Sequence, residues 1–252
     1  MAEARDRGRP ARQPHHPRLL KANNRFRILL TFLVLMLVVT PFFDTERYAM
    51  GAIRIVVSIT LIGAVYGAGR RRRDLVIGGV LAAPSLVGRW LPAFADSVTV
   101  FVTVTSATAL FLAFTAYVII DEVARAETVT FDTIFGAGCG YLLIGSVWAF
   151  AYSIINIVNH PGFVFTNIVP LPPMPDMMQK SQLMPLVYFS FVTLTSTGFG
   201  DILPLAPTAK ALAVCEAVIG QFYVAILVAR LVSLEIISSH DRGSGRGSGA
   251  SN

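Results

Sequence analysis

The chain has 252 residues, of which 54% are hydrophobic and only 14% are charged, and its mean hydropathy is +0.63. So few charged side chains cannot cover a water-facing surface, which excludes an ordinary soluble domain and predicts an integral membrane protein. The 21 Lys and Arg exceed the 15 Asp and Glu. This excess fits either a nucleic-acid partner or the cytoplasmic rim of a membrane protein, and the positions of the basic residues decide between them.

The N-terminal segment, residues 1–25, is rich in Arg and interrupted by Pro, so we expect a disordered basic tail. The apolar stretch that follows, residues 26–43, is longer than the core of a signal peptide and lacks a small-residue cleavage site. We therefore interpret it as a retained membrane span. His15 and His16 have no further ligands near them in the tail, which argues against a metal site.

Six apolar stretches are long enough to cross a bilayer core of about 30 Å as helices. They are residues 26–43, 49–69, 74–94, 97–120, 131–158 and 206–237. The predicted fold class is therefore an all-α membrane protein with six transmembrane helices.

The distribution of basic residues predicts the orientation. Fifteen Lys and Arg lie in the two tails, at the start of the first span and in the second and fourth connections, and four lie at or near the opposite side. The positive-inside rule then puts both termini in the cytoplasm, most simply at the cell membrane, with lipid rather than nucleic acid as the partner. The Arg run at 70–73 reads as an anchor for anionic headgroups, with a specific lipid or regulatory site as the alternative.

The fourth span, residues 97–120, contains no Lys or Arg, so the first four helices lack a charged voltage sensor. We expect little voltage dependence. Residues 121–132 form a predicted cytoplasmic linker, either an elbow that transmits motion or an ordinary polar loop. Thr128 or Thr130 is expected to cap the fifth helix, with Asp132 in its first turn.

Between the fifth and sixth spans, several prolines prevent a continuous helix until about Pro185. The stretch "LVYFSFVTLT" at 186–195 is apolar but too short to cross a membrane. It predicts a re-entrant helix that enters from the outside and turns back.

The sequence "TLTSTGFGD" at 193–201 follows this short helix. Gly198 and Gly200 tolerate a positive φ, so alternating left-handed and ordinary residues can turn successive carbonyls to one side. Irregular backbone at membrane depth is allowed only where it lines a cavity or is buried in protein. A stack of carbonyl oxygens can replace the hydration shell of an alkali cation.

This stretch closely resembles the potassium-channel signature T-x-T-T-V-G-Y-G-D, and the chain is identified as a member of the potassium channel superfamily. The likeness is to a prokaryotic-type six-transmembrane subunit with one pore loop. The resemblance implies a selectivity filter that binds K⁺, an outer-mouth acid, side chains that support the filter, and an inner-helix hinge. The corresponding residues are Ser196, Thr197, Gly198, Phe199 and Gly200 for the filter, with K⁺ at the first four; Asp201 at the mouth; Tyr188, Phe189 and Thr195 as supports; and Gly220 as the hinge.

Three filter positions depart from the family signature. Ser196 keeps the hydroxyl of the usual Thr but loses a methyl group, and Phe199 lacks a Tyr hydroxyl that could tether the filter. Thr197 replaces Val, so its hydroxyl lies behind the filter and needs a partner.

Glu216 lies deep in the sixth span, where an acid is costly. It is either a structural acid, hydrogen-bonded behind the filter, or a gating acid that attracts ions or senses protons. Arg230, near the end of that span, is expected to snorkel or to contact a neighbouring subunit. Cys139 and Cys215 fall in apolar helices and suggest no disulfide.

The predicted organisation is a disordered basic cytoplasmic tail, a four-helix domain, a linker, a pore domain and a disordered C-terminal tail. The ranges are 1–25, 26–120, 121–132, 133–238 and 239–252, the pore domain comprising outer helix, turret, pore helix, filter and inner helix.

We expect a homotetrameric, K⁺-selective channel that needs no cofactor beyond the permeating ion, because one filter segment cannot surround an ion. It is not expected to be an enzyme, since no acid, base and nucleophile converge. The alternatives are a weakly selective monovalent cation channel, a potassium-uptake transporter, or a non-conducting regulatory subunit of a channel or transporter.

Overall fold

The fold is described from a computed structural model, which covers residues 25–39, 58, 72–90, 97–126, 130–166 and 182–247. Several predicted features lie wholly or mostly outside these residues. They are the N-terminal tail, the second span apart from Ser58, the first two residues of the Arg run at 70–73, much of the turret and the last residues of the C-terminal tail.

Six helices and two short strands make up the described fold. The helices are α1 (Arg25–Val39), α2 (Arg72–Trp90), α3 (Val98–Ala124), α4 (Phe131–Val158), α5 (Leu183–Leu194) and α6 (Pro207–Gly247), and the strands are β1 (Phe163–Phe165) and β2 (Ile202–Pro204). Among the described residues, three segments are long and apolar enough to cross a membrane, namely α3, α4 and Pro207–Arg230 of α6. The prediction of a mostly helical membrane protein is confirmed, and the count of six spans stays a prediction.

The helix starts follow from local chemistry. The Thr130 side chain accepts a hydrogen bond from the Thr133 backbone N–H at 3.2 Å, so Thr130 is the N-cap of α4, with Asp132 in the first turn. Pro207 begins α6 and Pro185 lies in the first turn of α5. Proline is tolerated there because the first-turn N–H groups have no partner within the helix.

Two helices extend past the predicted boundaries. Helix α3 continues to Ala124, into the predicted linker, and Arg125 forms an ion pair with Asp121 at 2.9 Å. Side chains four residues apart meet on a helix surface, which favours the extra turn. Helix α6 continues to Gly247, through much of the tail predicted to be disordered. Extending an existing helix needs no new nucleus, so even a Gly- and Ser-containing end can remain helical.

One apolar core joins the first helices to the later ones. Leu29 of α1, Phe111 and Ile119 of α3 and Leu143 of α4 are all fully buried in it. This core does not divide at the predicted boundary between the four-helix and pore domains.

A second core lies around α5 and the two strands. It consists of Tyr152, Phe163, Leu186, Phe189, Ile202 and Ala209. Helix α5 packs closely on α4 because residue 145 is Gly, and an added Cβ would come within 2.7 Å of the Phe191 ring. Small residues allow such close helix packing in membranes. This contact fixes the position of the segment that follows α5.

Candidate ion-selectivity filter

The candidate filter, residues 196–200, follows α5, and its backbone alternates between left-handed and ordinary dihedral angles. Ser196, Gly198 and Gly200 have φ values of +56°, +61° and +78°, whereas Thr197 and Phe199 between them have no positive φ. The glycine spacing predicted this alternation at two positions, and the structure extends it to Ser196. Such alternation turns successive carbonyls toward the same side of the chain. Residues 195–200 are all exposed in the single chain, so the segment is not covered by the other described residues.

Two threonine hydroxyls link the filter to the end of α5. Thr195 Oγ1 donates to the Phe191 carbonyl oxygen at 2.7 Å and lies 2.9 Å from Thr197 Oγ1. Because each hydroxyl has one hydrogen, Thr197 donates to Thr195. The Thr197 backbone N–H also donates to the Val192 carbonyl oxygen at 2.9 Å. The Thr197 hydroxyl thus has the partner that its position required.

The Ser196 hydroxyl contacts α6. Gln221 Nε2 donates to Ser196 Oγ at 2.9 Å. The Gln221 amide therefore occupies one lone pair of Ser196 Oγ, the oxygen that was predicted to be the innermost K⁺ ligand.

The far end of the filter is held by the strand pair. Strands β1 and β2 are antiparallel, with Val164 opposite Leu203. Next to this pair, the Thr166 backbone N–H and hydroxyl both donate to the Asp201 carbonyl oxygen, at 2.9 and 2.8 Å. Asp201 Oδ1 accepts from the Ile202 N–H at 3.1 Å. The predicted outer-mouth residue is thus anchored to the segment that follows α4.

The two aromatic residues predicted to support the filter have different surroundings. Phe189 is buried, with its ring centroid 5.2 Å from that of Tyr152 and 5.3 Å from that of Phe163. Tyr188 is 39% exposed and stacks on Phe199, with centroids 6.4 Å apart and planes within 3°. The Tyr188 hydroxyl also interacts with the Asp201 carboxylate. Phe189 thus belongs to the core behind the filter, and Tyr188 contacts the filter itself.

Glu216 is fully buried among three helices. Tyr152 Oη of α4 donates to Glu216 Oε2 at 2.6 Å, and Ser190 Oγ of α5 lies 2.5 Å from Oε1. Ser190 Oγ also donates to the Gly145 carbonyl oxygen at 2.7 Å. The carboxyl group joins α4, α5 and α6 and does not face the open side of the filter, which favours the structural interpretation.

Residues 153–235 match the family model described as an ion channel, a range that includes α5, the filter and most of α6. This part of the chain is an ion-channel domain. The resemblance to the potassium channel superfamily is thereby confirmed. No curated protein and no solved structure matches the chain. Membership of an ion-channel family also points to a protein that is not an enzyme.

In this channel domain, Gly220 lies against the end of α5. A Cβ at residue 220 would collide with the carbonyl oxygen of Leu194, to which Tyr141 Oη donates at 3.2 Å. The absence of a side chain therefore lets α6 approach the start of the filter. The role of Gly220 as a hinge stays a prediction. The structure adds a second role, the close packing of α6 against the end of α5.

Arg230 contacts the end of α3 within the chain, and its predicted snorkelling or intersubunit contact stays a prediction. Its guanidinium group donates to the carbonyl oxygens of Val123 and Ala126, the latter at 2.7 Å, at the end of α3. The last carbonyls of a helix have no partner within the helix, so they attract a nearby cation. In the single chain, Arg230 therefore has partners without snorkelling and without a neighbouring subunit.

Four residues with roles at the site were not found from the sequence: Tyr152, Thr166, Ser190 and Gln221. Gln221 had a usable signal, because a carboxamide within an apolar span is costly unless it is paired. The other three are ordinary polar residues at helix or loop positions, and nothing local identifies them. Among the described residues, no group of three or more His, Cys, Asp or Glu could hold a metal ion.

Proposed function

We propose that the protein is a K⁺-selective channel that conducts passively through a homotetrameric pore. The observation that carries the proposal is the alternation of left-handed residues at Ser196, Gly198 and Gly200 in an exposed segment, a pattern that favours a row of carbonyls on one side. Carbonyl oxygens are hard, neutral ligands that can replace the water around a dehydrating K⁺ ion.

Four copies around one axis would enclose the ion, because a single chain presents the carbonyls from one direction only. The exposed surface of α6 supports this assembly. Within the chain, only 11% of the apolar 18-residue stretch of α6 is buried, whereas 39% of the corresponding stretch is buried in α3 and in α4. The remaining surface is available to neighbouring subunits and lipid. Both termini would lie in the cytoplasm of a six-span subunit in the cell membrane, as the charge distribution predicts.

The test is planar-bilayer recording of the purified protein between KCl on one side and NaCl on the other. We expect a reversal potential near the K⁺ equilibrium potential. Gly198→Val is the matched control, because a β-branched residue at φ +61° strains the filter and should abolish the current. Absence of current from the wild type would contradict the proposal and support a non-conducting regulatory subunit.

A weakly selective cation channel is the second candidate. Phe199 is 68% exposed, and its ring stacks on Tyr188 without a hydroxyl that could tether this part of the filter. A looser filter distinguishes ions of different radius less well. A reversal potential near zero between KCl and NaCl, together with a current that Gly198→Val abolishes, would support this candidate.

A further inference from the structure

The contact between Gln221 and Ser196 joins the inner helix directly to the start of the filter. Gln221 lies on α6, next to Gly220, in the apolar segment that crosses the membrane. Its Nε2 is 2.9 Å from Ser196 Oγ, a good hydrogen-bond distance. Polar side chains at membrane depth are costly and usually functional. Ser190 and Glu216 are satisfied within the core, whereas Gln221 and Ser196 are both on the exposed side.

The geometry of Ser196 makes this contact consequential. A serine hydroxyl rotates freely about χ1, whereas the methyl group of a threonine restricts that rotation. Ser196 therefore lacks the restraint that the family's threonine has at this position. By donating to Ser196 Oγ, Gln221 fixes the direction of the oxygen, occupies one lone pair and leaves the other for a cation.

We propose that Gln221 is a positioning residue for ion selectivity: its carboxamide holds the Ser196 hydroxyl in the orientation that coordinates K⁺. This inference rests on the proposed function, because it assigns a role within the K⁺-conducting filter. The restraint comes from α6, so the orientation of the innermost ligand depends on where the inner helix lies.

The test is the K⁺/Na⁺ permeability ratio, taken from reversal potentials of the wild type and three variants in planar bilayers. Gln221→Met has a similar length and no N–H donor. We expect its ratio to fall about threefold or more, since losing one neutral hydrogen bond changes an equilibrium several-fold. Ser196→Ala removes the hydroxyl that Gln221 holds, so its ratio should fall as well. The double variant Ser196→Ala, Gln221→Met should have the ratio of Ser196→Ala to within about twofold, because without the hydroxyl the Gln221 donor has nothing to position.

Val224→Leu, one turn further along α6 on an exposed apolar position, is the control and should leave the ratio unchanged. Gln221→Glu is a second variant for the case in which Gln221→Met does not assemble; an ionised carboxylate cannot donate, so its ratio should fall as well. Thermal unfolding of each variant in detergent separates positioning from stability. A lower unfolding midpoint with an unchanged ratio would show that Gln221 is merely structural.

An unchanged ratio in Gln221→Met, or a double variant whose ratio falls more than about twofold below that of Ser196→Ala, would overturn the inference while leaving the K⁺ channel intact. A wild type that conducts K⁺ and Na⁺ equally would overturn the proposed function, and with it the inference. The two failures are therefore distinguishable by the wild-type recording alone.

Discussion

Ser196 has a positive φ although it carries a Cβ. For a residue other than glycine this conformation costs roughly 1–2 kcal/mol. The neighbouring contacts offset part of this cost, because Gln221 bonds the Ser196 side chain and the Ser196 backbone N–H donates to the Thr193 carbonyl oxygen at 2.9 Å. The conformation of the filter is therefore maintained by contacts on both sides of Ser196 rather than by local preference.

The two threonine hydroxyls should differ in importance. Thr195→Val removes the bond to the Phe191 carbonyl and the acceptor for Thr197, whereas Thr197→Val removes one bond only. Each bond contributes about 1 kcal/mol or less at an exposed site. We expect Thr195→Val to lower the thermal unfolding midpoint in KCl more than Thr197→Val, and the double variant to resemble Thr195→Val. An equal or larger effect of Thr197→Val would contradict this hydrogen-bond order.

At the scale of the helices, Glu216 links α4, α5 and α6 through Tyr152 and Ser190. Glu216→Gln should preserve this link, because an amide N–H can donate to Ser190 and the amide oxygen can accept from Tyr152. Glu216→Leu leaves the Tyr152 hydroxyl buried without an acceptor, at a cost of about 1–3 kcal/mol. Thermal unfolding measures the difference, and Tyr152→Phe combined with Glu216→Leu is the matched control that removes the stranded hydroxyl.

The same variants separate the two interpretations of Glu216. If the acid is structural, the K⁺ currents of the wild type and Glu216→Gln should depend on pH in the same way. A pH response that disappears in Glu216→Gln, or a destabilisation as large as that of Glu216→Leu, would instead mean that the ionised carboxylate is required.

Gly220 allows a test in which the sign of the effect is informative. Alanine usually stabilises a helix interior by about 1 kcal/mol relative to glycine. At residue 220 the added Cβ would meet the Leu194 carbonyl oxygen, so we expect Gly220→Ala to lower the unfolding midpoint. Gly79→Ala in α2 is the matched control, because nothing lies within 4 Å of its Cβ position, and it should raise or maintain the midpoint. A midpoint raised by Gly220→Ala would favour a hinge without a packing role.

Features that depend on neighbouring residues in the sequence could be predicted, whereas features that depend on contacts between distant segments could not. Helix α4 was predicted at 131–158 and is observed at Phe131–Val158, because apolar length and the Thr130 cap are local signals. The positions of Gly198 and Gly200 likewise predicted two of the three left-handed residues in the candidate filter. The contacts of Gln221 with Ser196 and of Thr166 with Asp201 join residues 25 and 35 positions apart. These contacts depend on how α6 and the strand pair pack in three dimensions. The spacing of apolar and polar residues along the sequence does not determine that packing.

Helix α3 corresponds to the fourth predicted span, and its composition predicts how the whole channel responds to voltage. A voltage sensor requires charges that move through the membrane field, at about 2.3 kcal/mol per elementary charge for each 100 mV. Helix α3 contains no Lys or Arg, and its acids, Asp121 and Glu122, lie in its last turn. We expect a shallow conductance–voltage curve in bilayers of the purified protein. A steep curve, of the kind produced by several gating charges per chain, would contradict this expectation.

The contact of Arg230 with the end of α3 has a thermodynamic consequence for the complete channel. If the last part of α6 moves away while α3 stays in place, the Val123 and Ala126 carbonyls lose Arg230 as their partner. The contact is kept only if α3 moves together with α6. The stability of one position of α6 and the stability of the α3 terminus are therefore linked. Linkage is reciprocal, so a lipid or protein that binds the end of α3 more tightly in one pore state shifts the pore toward that state by the same free energy.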